Sequence, residues 1–116
     1  MKKGPESKEI LDAISAANKA SKNKKIWKEV KDKLLNSRRN RKGVNVSKIS
    51  KYVDQGKTAV IPAKVLGSGE INHKVNVVAL SFSDSAKQKI EKAGGKTILI
   101  SEIPPEGLKT ELILLR

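Results

Sequence analysis

The sequence contains no cysteine and only one each of histidine, methionine, tryptophan, tyrosine and phenylalanine. Without cysteine there is no disulfide, no thiol nucleophile and no thiolate-held metal, and a reducing cytosolic setting is expected. His73 alone cannot build a multi-histidine metal centre, and a Ser-His-Asp triad would have to use this one residue. Beside the Gly-Ser-Gly turn it reads as a polar contact and not as a base. No apolar run approaches the roughly 20 residues that span a bilayer, and Lys2 and Lys3 precede no stretch resembling a signal peptide. The phosphate-loop pattern G-x-x-x-x-G-K-S/T is absent. Gly67-Ser68-Gly69 begins like a dinucleotide fingerprint, but Asn72 stands where the third glycine belongs. The pairs Glu29/Asp32 and Glu102/Glu106 read as solvated charges. Nothing here assembles catalytic chemistry, so no enzyme, cofactor, metal or small-molecule substrate is expected.

What is abundant is positive charge: 25 Lys and Arg against 12 Asp and Glu, a formal net charge of +13 on 116 residues. A field of that strength suits nucleic acid first, then an anionic membrane surface or an acidic protein. The membrane reading needs a helix with a broad apolar face opposite a basic one, and the first helices have narrow faces. Residues 1–57 hold 17 basic and 6 acidic side chains, whereas 58–116 hold 8 and 6. Large apolar residues run the other way, with 11 of the 31 Val, Ile, Leu and Phe in the first half and 20 in the second. The expected organisation is a basic, mostly helical arm over 1–57 and a packed α/β body over 58–116, forming one folding unit. Self-repulsion predicts that the arm alone is only partly ordered.

Ile10, Leu11, Ile14 and Ala17 lie at helical spacing and predict a helix from Ser7 to about Ala20. A second helix is expected from Asn23, its cap, to Leu35, with Ile26, Val30 and Leu34 on one stripe. Trp27 beside that stripe is either a core anchor or a stacking platform for a base. Arg38, Arg39 and Arg41 follow, and every other basic residue except Arg116 is lysine. A guanidinium grips phosphate oxygens with a planar fork, which a lysine ammonium cannot do. The alternative is an ordinary solvated loop. Val44, Val46, Ile49 and Val53 suggest a short helix capped by Ser47. From Thr58 the period changes: TAVIPAKVL and Ile71–Leu80 read as two strands joined in a hairpin by Gly67-Ser68-Gly69. Pro62 argues for an edge or a bulge in the first of them. Ser83 caps a helix with Ala86, Ile90 and Ala93 inside and Gly94-Gly95 at its end. Thr97–Ile100 is a short strand, Pro104-Pro105-Glu106-Gly107 a loop, and Leu112–Leu115 a last strand. The order ββαβ, then β, is a small α/β body.

Several strings in this order resemble one family. They are Arg38-Arg39 with Val44-Asn45-Val46, then Ile61-Pro62-Ala63-Lys64-Val65-Leu66-Gly67-Ser68-Gly69, then Val77-Val78-Ala79-Leu80-Ser81-Phe82-Ser83. Ala86, Lys89-Ile90, Gly94-Gly95 and Pro105-Glu106-Gly107 complete the set. Together they resemble the archaeal and eukaryotic large-subunit ribosomal protein family L eighteen-e, which shares its C-terminal half with bacterial L fifteen, over about Ile10 to Arg116. The length is nearer the archaeal form. The resemblance implies a structural constituent of the cytoplasmic large ribosomal subunit, bound to ribosomal RNA beside neighbouring ribosomal proteins. It also implies a body of irregular strand-strand-helix superhelical turns, with RNA-facing segments at Arg38, Arg39, Arg41 and Gly67-Ser68-Gly69.

The arginines are expected to clamp phosphates, with Lys24, Lys25, Lys48 and Lys51 adding less directional charge. The Gly67-Ser68-Gly69 tip would let the backbone approach RNA, flanked by His73 and Lys74. Lys42, Asn45 and Lys64 beside these segments complete the candidate set. The competing expectation is a free-standing, non-specific nucleic-acid-binding protein of chromatin or RNA-chaperone type.

Overall fold

The computed structural model describes residues 5–22, 24–36, 43–103 and 112–115. Two helices, α1 (Pro5–Ala20) and α2 (Lys25–Asn36), come first. Then follow β1 (Val44–Asn45), α3 (Val46–Tyr52), β2 (Thr58–Leu66), β3 (Asn76–Phe82), α4 (Asp84–Lys92), β4 (Thr97–Leu99) and β5 (Leu112–Leu114). The strands form one sheet in the order β1-β2-β3-β4, and β5 shares the β1 side of β2. Every pairing is parallel.

β2 and β3 are buried on both faces along most of their length, which is why they read as continuous hydrophobic runs. Side chains alternate across a strand, and here the alternation sorts them into two cores. Ala59, Ile61, Ala63 and Val65 of β2, with Val77 and Ala79 of β3, pack against Val46, Ile49 and Val53 and against Ala86 and Ile90 of α4. Val60, Val78 and Leu80 pack on the other face against Ala13, Ala17 and Ala20 of α1 and Trp27, Val30 and Leu34 of α2. Burying each large side chain fully contributes about 1.5–3 kcal/mol. The N-terminal helices therefore cover one face of the sheet. Residues on both sides of position 57 contribute to each of the two cores.

Several local expectations change in the structure. The buried stripe of α1 is centred on Ala13, Ala17 and Ala20, so Leu11 lies outside it and is 63% exposed. Trp27 is fully buried, which settles it as a core anchor. Asn45 and not Ser47 occupies the cap position of α3, without a side-chain cap bond. Ser83 does cap α4: its Oγ accepts the Ala86 N–H at 3.2 Å. The expected cap Asn23 and the loop Pro104–Gly107 lie outside the described residues.

Pro62 sits at a bulge, since the register with β3 shifts between Ile61↔Ala79 and Lys64↔Ser81. The extra residue is placed where proline has no N–H to give the ladder. Beyond it Val65 pairs with Phe82, and Phe82 packs against the α3–α4 core.

The hairpin is corrected. β2 and β3 run parallel with Thr58 opposite Asn76, so residues 67–75 return along the whole strand. Nine residues at about 3.3 Å each cover the strand's length of about 26 Å only when nearly extended, leaving no room for a helix at 1.5 Å per residue. The connection instead lies beside α3 and α4 as an extended band. Ile71 packs into the core there, and Val75 is buried.

Candidate nucleic-acid interface

The C-terminal end of β2 gathers part of the candidate set. β1 pairs there, with Val44 opposite Val65 and Asn45 opposite Leu66. Gly43 precedes it in close approach, since a Cβ at this position would run into the Leu66 side chain and lie 3.4 Å from the Lys64 carbonyl oxygen. Lys64, Asn45 and Ser68 are all exposed. Arg38, Arg39, Arg41 and Lys42 lie outside the described residues, between the end of α2 at Asn36 and Gly43. The chain thus enters the described fold from the arginine segment at this end of the sheet.

Gly67-Ser68-Gly69 is not a free tip. The Lys89 ammonium on α4 donates to the Gly67 carbonyl and to the Gly69 carbonyl, each at 2.6 Å. Between them the Ser68 carbonyl accepts the Ser47 N–H at 3.3 Å. Both glycines are needed for internal packing. A Cβ on Gly67 would collide with the Ser85 hydroxyl and lie 3.0 Å from the Ala86 nitrogen. Gly69 has φ +88 and abuts Ser47.

His73 and Lys74 do not flank this segment. The extended connection carries them toward the opposite end of the sheet, about 13 Å (His73) and about 16 Å (Lys74) beyond Gly69 at full extension. His73 Nε2–H donates to the Val53 carbonyl at 2.6 Å and ties the connection to the end of α3. The Gly56 N–H donates to the Lys74 carbonyl at 3.1 Å, and the Lys74 side chain is exposed. Lys51 lies at this end, its Nζ 5.4 Å from the centre of the Tyr52 ring, and Tyr52 is 56% exposed. Lys48 is half-buried on the same helix. Lys24 and Lys25 stand at the start of α2, a full helix length from Asn36.

Lys89 was not among the sequence candidates. Its signal was a lysine at the i+3 position between Ala86 and Ile90, inside the apolar stripe of α4. Among the described residues no group of three or more His, Asp or Glu is arranged to hold a metal, and no helix is long and apolar enough to cross a membrane. Surface clefts are lined by Asp12, Ser15 and Lys19 with Ser101, and by Ser81, Asp84, Lys87 and Thr97 with Glu102.

Fold and composition together define a small, strongly basic α/β protein whose described candidate contacts lie at strand ends and along an extended connection. A family model described as ribosomal proteins 50S-L15, 50S-L18e and 60S-L27a matches residues 25–98, and the chain belongs to this family. The matched span runs from α2 through the arginine segment and the connection to β4. The large ribosomal subunit protein eL18 of Methanothermobacter thermautotrophicus is 49% identical over 81 residues, covering 70% of this chain and 67% of that protein. Its counterpart in Sulfurisphaera tokodaii is 53% identical over 91 residues, covering 78% and 73%. That of Archaeoglobus fulgidus is 46% identical over 101 residues, covering 87% and 83%.

Proposed function

We propose that the protein is a structural constituent of the large ribosomal subunit in the cytoplasm, without enzymatic activity, and that it binds ribosomal RNA by neutralising phosphates and fitting RNA shape. The observation that carries this reading is membership of a large-subunit ribosomal protein family across the span that includes the arginine segment and the Gly67–Gly69 connection. Arg38, Arg39 and Arg41 grip phosphates bidentately, with Lys42 adding charge, and Asn45, Lys64 and Ser68 add contacts at the C-terminal end of β2. Lys24, Lys25, Lys48, Lys51 and Lys74 supply positive potential elsewhere on the surface. His73 contributes by holding the connection in place. Neighbouring ribosomal proteins complete its surroundings.

Sedimentation of the untagged protein from native lysate tests this. One copy per large subunit, retained as salt is raised on a sucrose gradient, is the expected result. Protein at the top of the gradient, or spread with DNA, overturns it in favour of a free-standing nucleic-acid binder.

A further inference from the structure

The Gly67–Gly69 segment has every carbonyl engaged by a donor of the protein itself. Gly67 and Gly69 direct their oxygens to Lys89 on the α4 side, while Ser68 directs its oxygen to the Ser47 N–H on the α3 side. That alternation is the geometry of an extended chain held between two helices. It also has an electrostatic consequence. A peptide carbonyl carries partial negative charge and repels a phosphate, so a backbone that approaches RNA does so best with its carbonyls turned away. Lysine suits this task because it has three donors and no acceptor on a long stem, so one ammonium can serve two carbonyls.

We propose that Lys89 is a positioning residue for RNA binding. It does not grip a phosphate itself; it holds the Gly67 and Gly69 carbonyls toward α4, so that the exposed Ser68 face of the segment can approach the RNA backbone. This rests on the reading that the segment faces ribosomal RNA.

The test uses the full-length protein and large-subunit ribosomal RNA purified from archaeal subunits, with affinity measured across a range of salt. Three variants are compared: Lys89→Met, Lys89→Arg and Ser68→Asp. Lys89→Met is expected to weaken binding about tenfold at every salt concentration with an unchanged salt slope, because no phosphate contact is lost. Its Ser47 amide should exchange faster, while the Val77 amide, bonded to the Lys96 carbonyl at 2.8 Å, keeps its protection. Lys89→Arg, which retains charge and donors, should restore most of the affinity. Ser68→Asp should weaken binding through repulsion alone. A slope reduced by about 0.7–0.9 in Lys89→Met would make Lys89 a phosphate contact and overturn the positioning role. Wild-type affinity in Lys89→Met, with Ser68→Asp weakened, would overturn the role of Lys89 and leave the RNA-facing reading intact. Wild-type affinity in Ser68→Asp would remove that reading and the proposal with it. If Lys89→Met loses protection throughout, Lys89→Gln takes its place under the same criteria.

Discussion

Gly95 shows how a single missing carbon can be required by packing. A Cβ there would overlap the Val75 carbonyl, and the nearest side chain, Ile90, lies 3.3 Å away. The obstacle is backbone held in the core, which cannot swing aside as a side-chain tip can. Gly95→Ala is therefore expected to cost about 1–3 kcal/mol, the range for an overpacked core, read as a lower denaturant midpoint at unchanged m-value. Arg39 carries the corresponding prediction for binding. Arg39→Ala should weaken affinity for ribosomal RNA by about 1–3 kcal/mol, the scale of a lost charge-assisted contact. A binding curve indistinguishable from wild type at moderate salt would remove Arg39 from the interface.

The helices differ in what makes them form. α4 carries its own instructions: Ser83 caps it, Asp84 sits in its first turn, and Lys89 and Lys92 lie in its last. α2 depends on tertiary burial, because Trp27, Val30 and Leu34 lie on the sheet against Val60 and Val78. Two substitutions separate these cases. Ser83→Ala should lose only about 1 kcal/mol, one cap bond. Trp27→Ala should lose about 3–5 kcal/mol, enough to unfold a marginal domain and to expose one face of β2 and β3. Thermal unfolding of the two variants side by side checks the contrast. Equal losses would mean that α2 is not a structural cover of the sheet.

Over the whole molecule, a net charge of +13 is carried on a body measuring 38 × 33 × 19 Å. Such a slab offers broad faces and two sheet ends to a polyanion. The structure separates the candidate contacts accordingly, with Asn45, Lys64 and Ser68 at one end and Lys51 and Lys74 at the other. Binding through several phosphates at once makes affinity steeply salt-dependent, with a slope of about −0.7 to −0.9 per phosphate neutralised. A slope near zero between low and physiological salt would remove the electrostatic mechanism.

What was legible in the chain was what short-range physics decides. The Ser83 cap acts over three residues, the bulge at Pro62 follows from a missing N–H, and the burial of Trp27 follows from its place beside a helical stripe. The net charge and the arginine cluster are properties of composition and order, so the expectation of a polyanionic partner needed no fold. The sense of the β2–β3 pairing was not legible, because it joins Thr58 to Asn76 through a connection short enough to suggest a hairpin. The apolar run of β2 signalled burial on two sides, but only the tertiary structure says that α1 and α2 supply one cover and α3 and α4 the other. The same holds for Gly67-Ser68-Gly69. Its flexibility is local and visible in sequence, whereas its ties to Lys89 and Ser47 exist only once two helices, about 20 residues away on either side, have packed beside it.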